Sequence, residues 1–341
     1  VVNTPETVAE ATAAPVSAGD RIESLDVLRG FALLGILLLN ILGFGLHSAG
    51  YFDPMIGVGE HPALNLAIWG GVNVFFEGAM RALFSMLFGA GVVMFTTGLG
   101  SGSGIGKSAG LHYRRTFWLF AFGLFDAYVL LWTGDILMVY AICGALLYPL
   151  RKCSPRTLIV LASIVIVLTS LTYEGLGQTM QMGRAASAEI AADPTVAEDP
   201  EKRALAEAWT DFSKDYQVDE AGQQAELAER RGSYLTVAAF SARYMNEQFL
   251  FVIPLILLWD ALAMMLLGMA LYRLGVLNGE RSRTFYLRLM VGGFLLGLLA
   301  NGWEHFRSVQ TGYDLLATFS YMQGTYHFGR LGMAFGWMGL V

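Results

Sequence analysis

Residues 21–44 read RIESLDVLRGFALLGILLLNILGF, and this stretch decides the fold. A helix from about Leu25 to Phe44 rises ~1.5 Å per residue and is long enough to cross a bilayer's hydrocarbon core. Asp26 and Arg29 stand at one mouth of the apolar run, and Asn40 lies near its far end. Polar groups are costly against lipid, so three in one span predict a helix that faces a protein cavity. Interfacial anchoring is the competing role for Asp26 and Arg29.

Composition agrees with that reading. The chain has 341 residues, 55% of them hydrophobic and 15% charged, with a mean hydropathy of +0.51. A soluble domain is excluded on these values. Forty glycines suit close helix packing in lipid. Residues 1–20 lack an apolar core and read as a disordered tail. Cys143 and Cys153 have neither disulfide-framework nor metal-site spacing, so no metal is expected. No basic nucleic-acid footprint stands out.

The expected fold is all-α, a polytopic transmembrane bundle of about eight spans. Apolar segments lie at 27–46, 79–99, 116–132, 135–150, 157–174, 249–272, 286–306 and 314–341. Residues 63–76 read as an interfacial or re-entrant helix, with break points at Gly70-Gly71 and Glu77-Gly78. With the N-terminus cytoplasmic, twelve basic residues fall on inner segments: Arg21, Arg29, Lys107, Arg114, Arg115, Arg151, Lys152, Arg156, Arg273, Arg281, Arg283 and Arg288. The short outer loops hold only Arg307, which is the positive-inside pattern.

Three parts follow the tail: a membrane domain over 21–174, an outer insert over 175–248 and a C-terminal membrane segment over 249–341. The insert carries seven basic residues against thirteen acids. Its stretch from Pro200 starts like an amphipathic helix that either caps the bundle or spans solvent.

Glu77 and Arg81 are one turn apart and can pair at membrane depth. Asp135 reads as the cap of the helix that follows it. Asp126 sits mid-helix with no basic residue within a turn, so it requires a partner or a proton. Asp260 is likewise mid-span, beyond a kink at Pro254, and pairs with either Arg330 or Arg81. His327 and Arg330 are one turn apart and suit either an anion or packing. His47, His61 and His305 fall at outer ends, where an imidazole suits proton transfer. No Walker-type loop occurs; GSGSGIG at 100–106 reads as a linker.

LDVLRGFALLGILLLNILGFG, FEGAMRALFSMLFGAG, WTGDILMVYAICG and WDALAMMLLGMALYRLGVL occur in this order. Together they resemble the YeiB-like bacterial inner-membrane family, a domain of unknown function. The opening motif is also similar to a transmembrane acyltransferase superfamily that includes heparan-alpha-glucosaminide N-acetyltransferase. Asp26, Arg29, Asn40 and Gly134-Asp135 match, whereas many YeiB-like chains have histidine at the position of Asp126. The chain stops before the family's closing segment, so 249–341 reads as truncated.

The resemblance implies transfer of an acyl group from cytoplasmic acyl-CoA to a hydroxyl or amine at the outer face. Asn40 would polarise the thioester, and Asp126 or His47 would act as base, with Asp135 alongside. Arg29, Arg81, Arg114 and Arg115 would hold the cofactor; Asp26, Glu77, Asp260, His327 and Arg330 would line the cavity. The alternatives are a carrier or flippase for an amphiphile, and a scaffold for a partner protein. Membrane lipids and a second copy of the chain are the expected partners, and nucleic acid is not.

Overall fold

The computed structural model describes residues 22–56, 60–98, 105–216 and 219–341. The expected tail over 1–20 and most of the 100–106 linker lie outside them. The described residues form helices and turns, with no strand among them. Helix α1 covers Glu23–Gly45, α2 Pro62–Phe76, α3 Ala79–Gly98, α4 Ile105–Tyr128, α5 Leu137–Leu147 and α6 Pro155–Ala192. The insert supplies α7 (Pro200–Tyr216), α8 (Glu220–Arg230) and α9 (Tyr234–Glu247). A π-helical stretch, Gln248–Leu257, joins α9 to α10 (Leu258–Arg273), and α11 (Arg283–Gln310) and α12 (Leu315–Leu340) complete the chain.

Among the described residues, five helical stretches are long and apolar enough to cross a membrane: Glu23–Gly45, Pro62–Thr97, Pro155–Ala192, Tyr234–Arg273 and Arg283–Gln310. Their outward faces carry large apolar side chains such as Leu34, Val167, Leu171, Leu295 and Leu299, all more than half exposed. The buried side is built by close approach. A Cβ on Gly89 would fall 2.0 Å from the Met265 carbonyl oxygen, and one on Gly268 would fall 1.9 Å from that of Met86. Glycine at both positions therefore lets α3 and α10 cross backbone to backbone. Gly293, Gly297, Gly332 and Gly336 do the same between α11 and α12.

Hydrogen bonds sort the helix ends into two groups. At one end Ser24 Oγ donates to the Leu277 carbonyl, and Arg273 donates to that of Arg151. Arg156, Arg281 and Arg283 belong to the same end, which we call the basic end. At the other, Arg230 of α8 donates to the Gly43 and Leu46 carbonyls at 3.2 and 3.0 Å, capping α1. Tyr234 Oη donates to the Val129 carbonyl, and Arg184 of α6 pairs with Asp314 before α12 at 3.0 Å. This is the insert end.

Pro254 removes one backbone donor from the long helix. The helix widens to π register over Gln248–Leu257, around this proline, and passes directly into α10.

Candidate functional site: a buried ion network at a broken helix

The chain between α2 and α3 turns at Glu77-Gly78, one of the two break points expected from sequence. Glu77 is extended (φ −58, ψ 131) and Gly78 is left-handed (φ +66), a region glycine enters without steric cost. The break frees the last carbonyls of α2 inside an apolar bundle, where they require donors. Asn301 Nδ2 of α11 serves Val74 at 2.8 Å, and Trp337 Nε1 of α12 serves Phe75 at 2.9 Å.

The turn exposes Glu77 to an ion network. Arg330, 1% exposed, holds Asp260 by contacts of 2.7 Å to Oδ2 and 2.5 Å to Oδ1. Arg330 also donates to His327 Nδ1 at 2.8 Å, which leaves the proton of a neutral imidazole on Nε2. Arg81 donates to Tyr326 Oη at 2.7 Å and lies 3.9 Å from Glu77 and 4.0 Å from Asp260. Tyr51, folded inward from the α1–α2 loop, donates to Glu77 Oε2 at 2.7 Å. Two arginines face two carboxylates, so the network is neutral as a unit, the condition for burial in a low dielectric.

A cavity of about 380 Å³ opens on this network. Leu38, Leu39, Ile41 and Leu42 of α1 form one wall, and Asn65, Ile68, Trp69, Val72 and Asn73 of α2 form another. Gly50, Tyr51, Pro54 and Ile56 of the connecting loop also line it, and Glu77 is its charged member. Among the described residues the lining holds no basic side chain. Leu38 and Ile41 are also exposed on the outside of the bundle, so the cavity adjoins the apolar exterior.

The residues singled out in the sequence divide between this network and other places. Glu77, Arg81, Asp260, His327 and Arg330 come together, and the open choice for Asp260 resolves to Arg330 at close range with Arg81 beyond it. Asn40 does not join them: its neighbours on α1 line the cavity, but Asn40 does not. Asp126 does not join them either: its carboxyl neighbours that of Asp135 at the turn between α4 and α5, so it stands at the insert end. Asp135 also caps α5, its oxygens accepting from Leu137 and Met138 N–H, and burial raises its pKa above the ordinary carboxylate value.

His47 is fastened by its Nδ1 to Ala49 N–H and by its Nε2 to Glu226 of the insert at 2.7 Å. Asp26 and Arg29 pair with each other at 3.2 Å, partly exposed. Arg114 and Arg115 are exposed on α4, Arg115 lying over the Phe95 ring. None of these reaches the cavity. Tyr51, Tyr326, Asn301 and Trp337 were not singled out; an indole and an amide in apolar spans are the signals that mark the last two.

The described residues thus define a helical protein with membrane-length apolar helices packed around a largely buried ion network. The chain is YeiB-like: over 277 residues it is 27% identical to the uncharacterised YeiB of Escherichia coli K12, covering 81% of this chain and 61% of YeiB. It is also 33% identical over 168 residues to the uncharacterised YxaH of Bacillus subtilis 168 (47% of this chain, 40% of YxaH). A 39.9 kDa protein from the amylase 3′ region of Bacillus acidopullulyticus is 35% identical over 160 residues (46% and 42%). The chain therefore spans less than two thirds of each of these relatives. No family model matches it, and no solved structure does.

Proposed function

We propose that this is a multi-pass protein of the bacterial inner membrane that binds an amphiphile between α1 and α2 and carries it across the bilayer. Its eight spans are α1, α3, α4, α5, α6, the 248–273 helix, α11 and α12, with the N-terminus cytoplasmic and α2 re-entrant. The sorting of helix ends supports this order, and the concentration of arginine at the basic end supports the orientation. The insert then lies on the periplasmic side.

One observation carries the binding reading: an apolar cavity beside the exterior ends at a carboxylate with hydrogen-bonding capacity to spare. Glu77 takes one short bond from Tyr51, and Arg81 stands off at 3.9 Å. A ligand whose head donates hydrogen bonds fits Glu77, while its tail fits the leucine and isoleucine wall. An anionic head group meets no cation in the lining. The broken helix beside the site is the kind of element that moves with least loss of backbone bonding.

Photoreactive long-chain alcohol added to the protein in vesicles tests the reading. Labelled peptides should map to 38–56 and 62–77, and Glu77→Gln should reduce labelling severalfold. Labelling spread evenly over all exposed helices defeats it.

Acyl transfer from acyl-CoA is the second reading, and one feature favours it. Glu77 is the carboxylate placed to accept a proton from a hydroxyl in the cavity. Under that reading Glu77 takes the role first given to Asp126 or His47, and labelled acetyl-CoA should pass its label to a bound alcohol in the wild type but not in Glu77→Gln.

A further inference from the structure

We propose that the basic end of the α4–α5 hairpin is a binding site for a phosphate group. It is separate from the amphiphile cavity, which lies along the far half of α1. Ser108 and His112 are one turn apart on α4, 4% and 2% exposed, and Tyr148 after α5 is 6% exposed. The His112 and Tyr148 rings lie 5.0 Å apart.

Among the described residues, each of the three presents a buried polar atom that no hydrogen bond satisfies: Ser108 Oγ, His112 Nδ1 and Tyr148 Oη. Buried polar groups are seldom left so, and three on adjoining side chains point to a ligand. His112 Nε2 donates to the Gly144 carbonyl at 2.9 Å. A carbonyl only accepts, so Nδ1 keeps its lone pair and requires a donor.

The charge around them has one sign. The Arg151 guanidinium stacks on the Tyr148 ring at 3.7 Å and hydrogen-bonds the Tyr148 carbonyl. Arg273, which donates to the Arg151 carbonyl, leaves its own Nε buried without a partner among the described residues. Neither guanidinium forms an ion pair among the described residues. Half-buried arginines without carboxylates call for an anion, and planar forked donors suit phosphate.

A phosphate monoester answers every group. Its anionic oxygens accept from Tyr148, Ser108 and the guanidinium of Arg151, and its acidic hydroxyl donates to His112 Nδ1. Such a monoester belongs either to a soluble molecule or to a lipid headgroup.

The full chain in phosphatidylcholine nanodiscs, titrated with inorganic phosphate and with coenzyme A, tests the soluble source. Nanodiscs of equal parts phosphatidylcholine and phosphatidic acid test the lipid source. We expect a rise in Tm in at least one arm, abolished by Arg151→Gln. Ser108→Ala and Tyr148→Phe should each weaken binding about tenfold, the worth of one charge-assisted hydrogen bond. In the absence of phosphate these two variants should melt no lower than wild type, because each deletes a buried group that has no protein partner. No response in any arm overturns the proposal. So does a response that Ser108→Ala and Tyr148→Phe leave unchanged, or a fall in their unliganded Tm, which would make the hydroxyls structural.

Discussion

Asp260 with Arg330 in the bundle and Glu189 with Lys202 in the insert are ion pairs of almost equal length, 2.5 and 2.6 Å. Their surroundings are opposite. The first pair is 6% and 1% exposed at the side chains, the second 52% and 43%. In the insert, water would solvate either charge alone, so the contact adds little. In the bundle neither charge has an alternative partner of comparable quality, so separating them strands a charge in an apolar medium. Distance therefore ranks neither pair; the medium does.

The comparison is tested most severely by Arg330→Met, which should destabilise the protein by about 3–5 kcal/mol by leaving Asp260 uncompensated. Thermal melting in detergent reads this, and Asp260→Leu combined with Arg330→Met should recover most of the loss. A single variant that melts like wild type would erase the contrast.

An intermediate case is Glu226, which accepts from Ser48 N–H, Ser48 Oγ and Arg230 and pairs with His47 at the margin of the bundle. Glu226→Ala should cost roughly 1–3 kcal/mol, the penalty for unpaired donors at a partly buried site. Proteolysis within 200–230 should become faster in step with the lower melting point.

Asp135 sharpens the comparison through pH. Burial raises its pKa, so the folded state favours the protonated carboxyl. That contribution is complete below the unfolded carboxylate pKa and is lost as pH rises through the raised folded value. The melting temperature should therefore climb as pH falls from neutrality into the carboxylate range, and Asp135→Asn should flatten the climb. The smallest effect belongs to Lys202→Ala, for which no measurable change in melting temperature is expected.

Much of the arrangement was legible in the sequence, for reasons tied to spacing. Glu77 and Arg81 announced themselves as an i, i+4 pair next to Gly78, and the chain does break there. The Pro254 anomaly was visible too, and the helix takes π register around it. What spacing could not supply was the partner across the bundle. Asp126 looked isolated because its neighbour, Asp135, is another carboxyl from around a turn, and no spacing rule pairs two acids. Asn40 looked central because it is polar, yet a one-residue step along α1 separates it from the four residues that face the cavity. The donors that serve the broken end of α2 come from Asn301 and Trp337, more than two hundred residues away, and no local pattern encodes that distance.

The helix that begins at Tyr234 runs without interruption to Arg273, so one rod holds both the last residues of the insert and Asp260. Excising 175–248 would cut into that rod and remove the guanidinium that closes α1. Such a deletion would behave as a lesion of the helix bundle's interior and not as the trimming of a surface ornament.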